Sequence, residues 1–331
     1  MSRIAIIGAG AWGTALSIAL ARGGRHDVRL WAYEREVIES IQSRRTNDLF
    51  LPDFTIPDGV ATTNSLTTAL EGSQIVLAVM PSHHARRLYG DMRASLHSSV
   101  TIVSATKGIE NLTYKRMTEV AAEVGGVNRI AALSGPSFAK EVARGDPAAL
   151  TVASNDVEVA ARVQREFSDP MFRVYTTDDV TGVELGGALK NVIAIAAGIV
   201  EGLGFGHNTA AALITRGLAE ITRLAVACGA RRETLSGLAG MGDLVLTCTG
   251  GLSRNRTVGV ELGRGRKLRD IMAGMHGMVA EGVLTTDAAL GLAQRHGIEM
   301  PISEQMRAIL HEEKPPKDAI RELMNRPGKE E

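Results

Sequence analysis

Cysteine and clustered histidine are scarce in this 331-residue sequence, and both absences limit what the chain can be. The two cysteines, Cys228 and Cys248, have a spacing that fits neither a zinc site nor a redox pair, so we interpret both as small core residues. The eight histidines are scattered except for His83-His84. Adjacent side chains point in different directions on a helix or a strand, and we therefore expect no metal site.

Excess charge and long apolar runs are also missing. Lys+Arg and Asp+Glu both number 37, so no bulk positive charge attracts nucleic acid or a membrane surface. The most apolar run in a predicted helix, residues 192–200, is far shorter than the ~20 residues that span a bilayer, and we expect no membrane-spanning segment. Residues 1–3 lead directly into a strand, so we expect no signal peptide and a cytoplasmic protein.

The pattern of residue types changes near the middle of the chain. Short β-branched runs at residues 4–7, 28–31, 75–79, 100–103 and 130–133 alternate with helical stretches. Unalternated apolar strands separated by helices predict a parallel sheet covered on both faces. Beyond about residue 177, alanine, leucine and glycine dominate helical patterns at residues 183–200, 209–228, 279–295 and 302–310. The sequence therefore predicts an α/β domain over residues 1–178 and a mostly α-helical domain over residues 179–331.

The first strand ends in Gly8-Ala9-Gly10-Ala11-Trp12-Gly13, a GxGxxG pattern. Alone this pattern is weak, but here it follows an apolar strand and precedes a helix, which is the context that dinucleotide binding requires. The first glycine allows a tight turn, the second lets the backbone approach a pyrophosphate, and the third lets the helix pack on the strand. A plain strand-to-helix turn is the alternative.

After the second strand, Tyr33-Glu34-Arg35 occupies the position that contacts the ribose in such domains. An acid there binds the ribose 2′-hydroxyl of NAD, whereas an arginine accommodates the 2′-phosphate of NADP. Glu34 favours the first and Arg35 the second, so the cofactor preference stays open.

Two further strands lead into polar or small residues. Lys107-Gly108 follows one, and Ser134-Gly135-Pro136-Ser137 follows the other. Ligands of open parallel sheets lie beyond the carboxyl ends of the strands, where a lysine neutralises phosphate and Gly135 and Ser137 offer backbone and hydroxyl contacts. The alternative is a surface lysine and a capped turn.

Lys190 and Asn191 interrupt an otherwise apolar or small-residue stretch at residues 186–197. Burying an unpaired ammonium is costly, which favours a functional lysine over one that extends from an exposed helix face. Asp243 is a lone carboxylate among glycine and apolar residues, and it is a candidate partner for Lys190 or, alternatively, a helix N-cap. Ser253-Arg254-Asn255, after a glycine-rich turn, suits a phosphate, although a solvated basic turn is the alternative.

Together these segments resemble the bacterial-type NAD(P)-dependent glycerol-3-phosphate dehydrogenases over nearly the whole chain. The matching blocks are the Gly8-to-Gly13 loop, Asn47 with Phe50-Leu51-Pro52, Thr106-Lys107-Gly108, Ser134-Gly135-Pro136-Ser137-Phe138-Ala139, residues 182–192, Thr215-Arg216-Gly217-Leu218, Gly242-Asp243, Ser253-Arg254-Asn255 and Val279-Ala280-Glu281-Gly282. The resemblance implies a Rossmann-like dinucleotide-binding domain, a helical domain like the C-terminal domain of 6-phosphogluconate dehydrogenase, and a homodimer. Tyr33-Glu34-Arg35 departs from the family, which often has His or Arg there.

The resemblance also implies an activity and a set of site residues. The activity is the reversible NAD(P)H-dependent reduction of dihydroxyacetone phosphate to sn-glycerol 3-phosphate, which supplies the glycerol backbone of phospholipids. Lys190 would be the general acid/base, assisted by Asp243. The implied substrate contacts are Lys107, Gly135, Ser137, Lys190, Asp243, Ser253, Arg254 and Asn255. The implied cofactor contacts are Gly8, Gly10, Ala11, Trp12, Gly13, Tyr33, Lys107, Ala139, Arg254, Val279 and Glu281.

Two other functions fit parts of the pattern. A hydroxyacid or sugar-acid dehydrogenase shares a dinucleotide domain followed by a helical domain with an active lysine. A nucleotide-binding regulator would use the glycine loop alone, but it leaves Lys190, Asp243 and Arg254 unexplained.

Overall fold

Eight strands form one sheet in the computed structural model, which describes residues 1–275 and 278–328. Their order is β3-β2-β1-β4-β5-β6-β7-β8, so the chain reverses its direction of travel across the sheet between β1 and β4. The strands are β1 (Ser2–Ile7), β2 (His26–Trp31), β3 (Val60–Thr63), β4 (Ile75–Ala78), β5 (Thr101–Ser104), β6 (Ile130–Ser134), β7 (Ala148–Ala153) and β8 (Phe172–Thr177).

The helices of the first domain lie between these strands, and those of the second follow β8. They are α1 (Ala11–Ala21), α2 (Arg35–Arg44), α3 (Leu66–Leu70), α4 (Ala85–Met92), α5 (Met117–Gly125), α6 (Ala139–Arg144), α7 (Val157–Phe167), α8 (Val180–Gly202), α9 (His207–Ala227), α10 (Arg232–Leu235), α11 (Asp243–Thr249), α12 (Arg254–Gly263), α13 (Leu268–Ala273), α14 (Glu281–His296), α15 (Pro301–His311) and α16 (Pro316–Met324). This architecture confirms the predicted α/β domain followed by a helical domain.

The sheet is covered on both faces, as its unalternated strands predict. Along β1, Ile4 and Ile6 belong to one buried apolar cluster, whereas Ala5 and Ile7 belong to another. Because successive side chains of a strand point to opposite faces, the two clusters lie on opposite sides of the sheet.

The five strands predicted from sequence (β1, β2, β4, β5 and β6) are parallel to one another, which confirms the predicted parallel sheet. The sequence did not predict β7 and β8, which run opposite to these five strands. β7 pairs antiparallel with β6, and β8 then pairs parallel with β7. The connection from β6 to β7 holds only the six-residue helix α6, and it turns back at Gly145, whose φ of +95° is in the left-handed region. The chain therefore returns beside β6 in the opposite direction.

Helix α8 is the centre of the helical domain, with α9, α11, α12 and α14 packed against it. With 23 residues, α8 is long enough, and its mean hydropathy high enough, to cross a membrane, and it is longer than the run estimated from residues 192–200. The whole of the qualifying segment is buried in protein, so α8 is a core helix by its surroundings.

Glycines set how closely α12 approaches α8. A Cβ at Gly198 of α8 would lie 2.0 Å from the Arg256 carbonyl oxygen, and one at Gly259 of α12 would lie 2.0 Å from the Ile195 carbonyl oxygen. Gly202 and Gly263 repeat the arrangement one turn further on. This backbone-to-backbone crossing holds the start of α12 beside the middle of α8.

Candidate active site

The loops that follow β1, β4, β5 and β6 lie side by side at one edge of the sheet, because these strands are parallel neighbours. They carry the glycine loop, Ser82, Lys107 and Gly135, respectively. Adjacent strands are about 4.8 Å apart, so the glycine loop lies roughly 10 Å from the Lys107 loop. The glycine loop itself occupies the reversal point of the strand order, where open α/β sheets bind ligands.

The three glycines of the loop meet different surroundings. Gly8 has a φ of +119°, and a Cβ there would lie 2.8 Å from the Val79 carbonyl oxygen. A Cβ at Gly13 would lie 1.8 Å from the Gly8 carbonyl oxygen, whereas nothing lies within 4 Å of the same position at Gly10. Gly8 and Gly13 therefore serve packing, and Gly10 faces open space at the start of α1, where free N–H groups point outward.

Asn47 stabilises this loop by hydrogen bonds from its buried side. Its buried Nδ2 donates to the Ala9 carbonyl oxygen at 2.8 Å and to the Thr14 Oγ1 at 2.8 Å, and its Oδ1 accepts from the Phe50 backbone N–H at 3.1 Å. In the sequence analysis, Asn47 was only part of a block that resembles the family, without a role of its own. The structure makes it the residue that holds the glycine loop in shape.

The other predicted cofactor residues near the loop lie at its two sides. Ala11 and Trp12 open α1, and the Trp12 ring packs against the core of the first domain. Tyr33 is 71% exposed just beyond β2. Glu34 precedes α2 without capping it through its side chain, and Arg35 is exposed as the first residue of that helix. The acid and the arginine are both available, so this segment does not fix a cofactor preference.

A lysine–aspartate–lysine cluster lies where α8 and α11 meet the sheet edge. Lys190 Nζ donates to Asp243 Oδ1 and, at 2.7 Å, to Thr247 Oγ1. Lys107 Nζ donates to Asp243 Oδ2 at 2.7 Å and to the Gly135 carbonyl oxygen at 3.1 Å. Asp243 is completely buried and Lys190 is 6% exposed. The structure therefore brings together four of the predicted residues, Lys107, Gly135, Lys190 and Asp243, and adds Thr247, which sequence reasoning missed.

The electrostatics of this cluster suit proton transfer. Burial lowers the pKa of Lys190 to about 7, the Asp243 carboxylate opposes this shift, and the nearby Lys107 ammonium adds to it. With both lysines protonated, two ammonium groups share one carboxylate, so the cluster is positive and attracts negative charge. The alternatives of an extended surface lysine and an N-capping aspartate are both wrong: Lys190 is buried, and Gly242 occupies the N-cap position of α11.

Glycines again make the arrangement possible. A Cβ at Gly187 would lie 2.4 Å from Ser134 Oγ at the end of β6, and one at Gly186 would lie 2.6 Å from the Ala239 carbonyl oxygen. The two glycines let α8 press against the sheet edge and against the π-helical turn Leu238–Gly242. Lys190 follows less than one turn later and so reaches Asp243.

The loop after β6 contributes small groups beside the cluster. Gly135 has a φ of +144°, and a Cβ there would lie 3.0 Å from the Leu150 Cα, so glycine is required. Ser137 Oγ donates to the Gly135 carbonyl oxygen at 2.9 Å, the same oxygen that accepts from Lys107. Ala139 is the first residue of α6.

The Ser253-Arg254-Asn255 segment begins α12. Ser253 Oγ caps the helix by accepting from the Arg256 backbone N–H at 3.2 Å. Among the described residues, Arg254 has no hydrogen-bond or ion-pair partner; surrounding protein lowers its pKa by removing hydration, and the Glu281 carboxylate opposes that shift. A guanidinium placed at a helix start without a partner suits an anionic ligand.

Asn255 is committed mainly to structure. Its Nδ2 donates to Asn191 Oδ1 at 3.0 Å, and its Oδ1 accepts from the Gly282 backbone N–H at 2.9 Å. The amide therefore ties α12 to α8 and to the start of α14, which leaves one N–H for a ligand. Asn191, next to Lys190 on α8, lies beside the site as the hydrogen-bond partner of Asn255.

Glu281 and Val279 approach the site from the helical domain. Glu281 begins α14, and its carboxylate accepts from Ser82, which follows β4 in the first domain. Val279 lies in the segment that leads into α14. Sequence reasoning missed Ser82, because nothing in its local pattern indicates a partner in the other domain.

A dinucleotide-type glycine loop at the same sheet edge as a buried lysine–aspartate cluster, in a sheet domain joined to a helical domain, defines a two-domain dehydrogenase, an oxidoreductase. Two family models match the chain: the N-terminus of NAD-dependent glycerol-3-phosphate dehydrogenase over residues 3–160, and its C-terminus over residues 179–321. The chain belongs to the NAD-dependent glycerol-3-phosphate dehydrogenase family.

Individual relatives resemble the chain along its whole length. It is 69% identical to the glycerol-3-phosphate dehydrogenase (NAD(P)+) of Koribacter versatilis, covering 99% of this chain and 98% of that protein. It is 56% identical to the same enzyme of Acidobacterium capsulatum, with full coverage of both at 100%. A crystal structure of glycerol-3-phosphate dehydrogenase from Coxiella burnetii has a TM-score of 0.94 at 42% identity, covering 98% of this chain and 99% of that one.

Proposed function

We propose that this chain reduces dihydroxyacetone phosphate to sn-glycerol 3-phosphate with NADH or NADPH, and that Lys190 is the proton donor. The observation that carries the proposal is the buried Lys190, with a pKa of about 7, held by Asp243 and Thr247. General acid catalysis is most effective when the pKa of the acid lies near the working pH.

The residues of the chain would act on the carbonyl of the substrate as follows. The nicotinamide, when bound, supplies a hydride to C2 of the ketone. Protonated Lys190 stabilises the negative charge that develops on the C2 oxygen and delivers its proton there. Asp243 and Thr247 orient the Lys190 ammonium, and Lys107 holds the other oxygen of Asp243 so that the carboxylate cannot turn away.

Arg254 would hold the substrate phosphate. Its guanidinium matches phosphate oxygens in bidentate geometry, and it has no partner among the described residues. The backbone N–H groups at the start of α12 add a positive helix end beside it. Fixing the phosphate positions C2 near Lys190, and such positioning lowers the barrier by several kcal/mol.

The remaining assignments are those that the family resemblance implies. The proposed cofactor contacts are Gly8, Gly10, Ala11, Trp12, Gly13, Tyr33, Lys107, Ala139, Arg254, Val279 and Glu281. The proposed substrate contacts are Lys107, Gly135, Ser137, Lys190, Asp243, Ser253, Arg254 and the free N–H of Asn255. We place the domain boundary between residues 178 and 179, which is supported by the end of β8 at Thr177 and by the capping of α8 by Asp179. Residues 329–331 of the second domain lie outside the described residues.

We also propose that the protein is a cytoplasmic homodimer. Large apolar side chains of the helical domain are 41–46% exposed, which is a composition suited to an interface: Phe205, Val226, Met241, Val245 and Leu252. Light scattering checks this assembly, and a mass of one chain at micromolar concentration would contradict it.

The reaction is tested by following oxidation of NADH and of NADPH at 340 nm with dihydroxyacetone phosphate and, in parallel, with unphosphorylated dihydroxyacetone. We expect turnover of the phosphorylated ketone, and the ratio of the two cofactor rates gives the preference. Lys190→Ala should lose most of kcat and keep its affinity for NAD(P)H, whereas Lys317→Ala, an exposed lysine on α16, should match the wild type. Turnover of a phosphate-free hydroxyacid instead would move the chain to another substrate class.

A further inference from the structure

Glu281 is held by one residue of the other domain. The Ser82 backbone N–H donates to Glu281 Oε1 at 2.9 Å, and Ser82 Oγ donates to Glu281 Oε2 at 2.6 Å. Ser82 is buried just beyond β4, and Glu281 is the first residue of α14. Both carboxylate oxygens thus bond directly to a residue of the first domain.

Arg254 lies beside this pair. The residue that follows Glu281 and the residue that follows Arg254 are bonded directly, since the Gly282 N–H donates to Asn255 Oδ1 at 2.9 Å. The starts of α12 and α14 are therefore adjacent. Burial lowers the pKa of Arg254 and raises the pKa of Glu281. The charge of each group partly offsets the shift of the other. Among the described residues, however, no ion pair joins the two side chains.

Gly108 packs directly against the Ser82–Glu281 pair. A Cβ at Gly108 would lie 2.4 Å from the Ser82 Cβ and 3.2 Å from Glu281 Oε2. The backbone next to Lys107 therefore presses against the Ser82–Glu281 contact, and a Glu281 carboxylate freed from Ser82 could not turn in that direction. Arg254 is the nearby cation on the helical-domain side.

We propose that Ser82 is a positioning residue that holds Glu281 away from Arg254 and so keeps the Arg254 guanidinium open for the substrate phosphate. The inference rests on the proposed function, in which Arg254 binds that phosphate. Arginine pairs with carboxylates and phosphates in the same bidentate geometry, so a released Glu281 competes with the substrate for one group. Ser82 acts through Glu281 and does not itself touch the substrate.

The test separates this role from a merely structural one. At saturating NAD(P)H, we expect Ser82→Ala to raise the KM for dihydroxyacetone phosphate by about tenfold and to change kcat by less than about twofold. Ser82→Cys keeps the side-chain size with a weak donor and should give an intermediate KM. The double variant Ser82→Ala/Glu281→Gln should return to the KM of Glu281→Gln alone, because a neutral amide does not compete for the guanidinium.

The outcomes are distinct. A KM rise that persists in the double variant, or a loss of kcat with normal KM, would overturn the positioning role. If Ser82→Ala does not fold, Ser82→Cys with and without Glu281→Gln makes the same comparison. Arg254→Ala is measured in parallel. A normal KM in that variant removes the phosphate role and the inference together, whereas a raised KM there with a normal KM in both Ser82 variants removes the inference alone.

Discussion

Raising the pH should remove the proton from Lys190 and with it the capacity to reduce the ketone. The lysine titrates at about 7, because burial lowers its pKa more than Asp243 restores it. As a general acid it must be protonated, so kcat/KM for reduction should fall as the pH rises through this value. Oxidation of sn-glycerol 3-phosphate, for which Lys190 must accept a proton, should show the opposite trend.

The magnitude follows from the protonated fraction. With a pKa of about 7, Lys190 is about nine-tenths protonated at pH 6 and about one-hundredth protonated at pH 9, so kcat/KM should fall roughly 90-fold over this range. A lysine with an ordinary pKa would lose only about one twenty-fifth of its protonated form over the same range. The substrate phosphate, with a second pKa of ~6, changes charge mainly between pH 6 and 7, so the roughly 50-fold fall expected between pH 7 and 9 belongs to Lys190.

The assay is NAD(P)H oxidation at 340 nm with subsaturating dihydroxyacetone phosphate, buffered at constant ionic strength. Asp243→Asn supplies the directional control, because it removes the carboxylate that raises the pKa of Lys190 and should move the fall in rate to lower pH. A kcat/KM that stays constant from pH 6 to 9, or an Asp243→Asn profile displaced to higher pH, would refute the assignment of Lys190 as the acid.

Three other substitutions test separate parts of the structure. Arg254→Ala should raise the KM for dihydroxyacetone phosphate by about 30-fold, or ~2 kcal/mol, through loss of a charged bidentate contact, and Arg256→Ala on the same helix should not. Asn47→Ala should lower the free energy of unfolding in urea by about 2–3 kcal/mol and weaken NAD(P)H binding measured by fluorescence; unchanged binding would separate this residue from the glycine loop. Gly198→Ala places a Cβ 2.0 Å from a backbone oxygen and should lower Tm by roughly 4 °C or more. Gly206→Ala has nothing within 4 Å, and an equal loss there would contradict the packing argument.

Local pattern alone determined the elements that carry this site. The glycine loop was predicted because its spacing, the preceding apolar strand and the following helix are all local features. Lys190 stood out because a charged residue in a long apolar helix must be paired, and its partner was expected to be a carboxylate. Helices α8, α9, α14 and α15 were predicted in place, with ends that differ by one to three residues from those observed.

Contacts between distant segments were decided only by the tertiary structure. Lys190 and Asp243 are 53 residues apart, and Lys107 and Asp243 are 136 apart, so no local pattern shows that one carboxylate bridges both lysines. In the sequence, Thr247 does not differ from any other helical threonine. Only the packing of α8 against α11 brings Lys190 into hydrogen-bond contact with it. Asn255 fits a phosphate-binding turn in sequence, yet Asn191 in the middle of α8 and Gly282 at the start of α14 use most of its amide.

The direction of β7 and the Ser82–Glu281 contact were likewise decided only by the tertiary structure. Apolar strands that alternate with helices predicted the parallel pairing of five strands, but the sequence of β7 does not record its direction, because parallel and antiparallel pairing with β6 bury the same side chains. Ser82 and Glu281 meet across two domains, 199 residues apart. The sequence sets the secondary-structure propensity and the burial of each residue, whereas the close approach of backbones at glycines such as Gly186 and Gly198 decides which distant polar groups form hydrogen bonds.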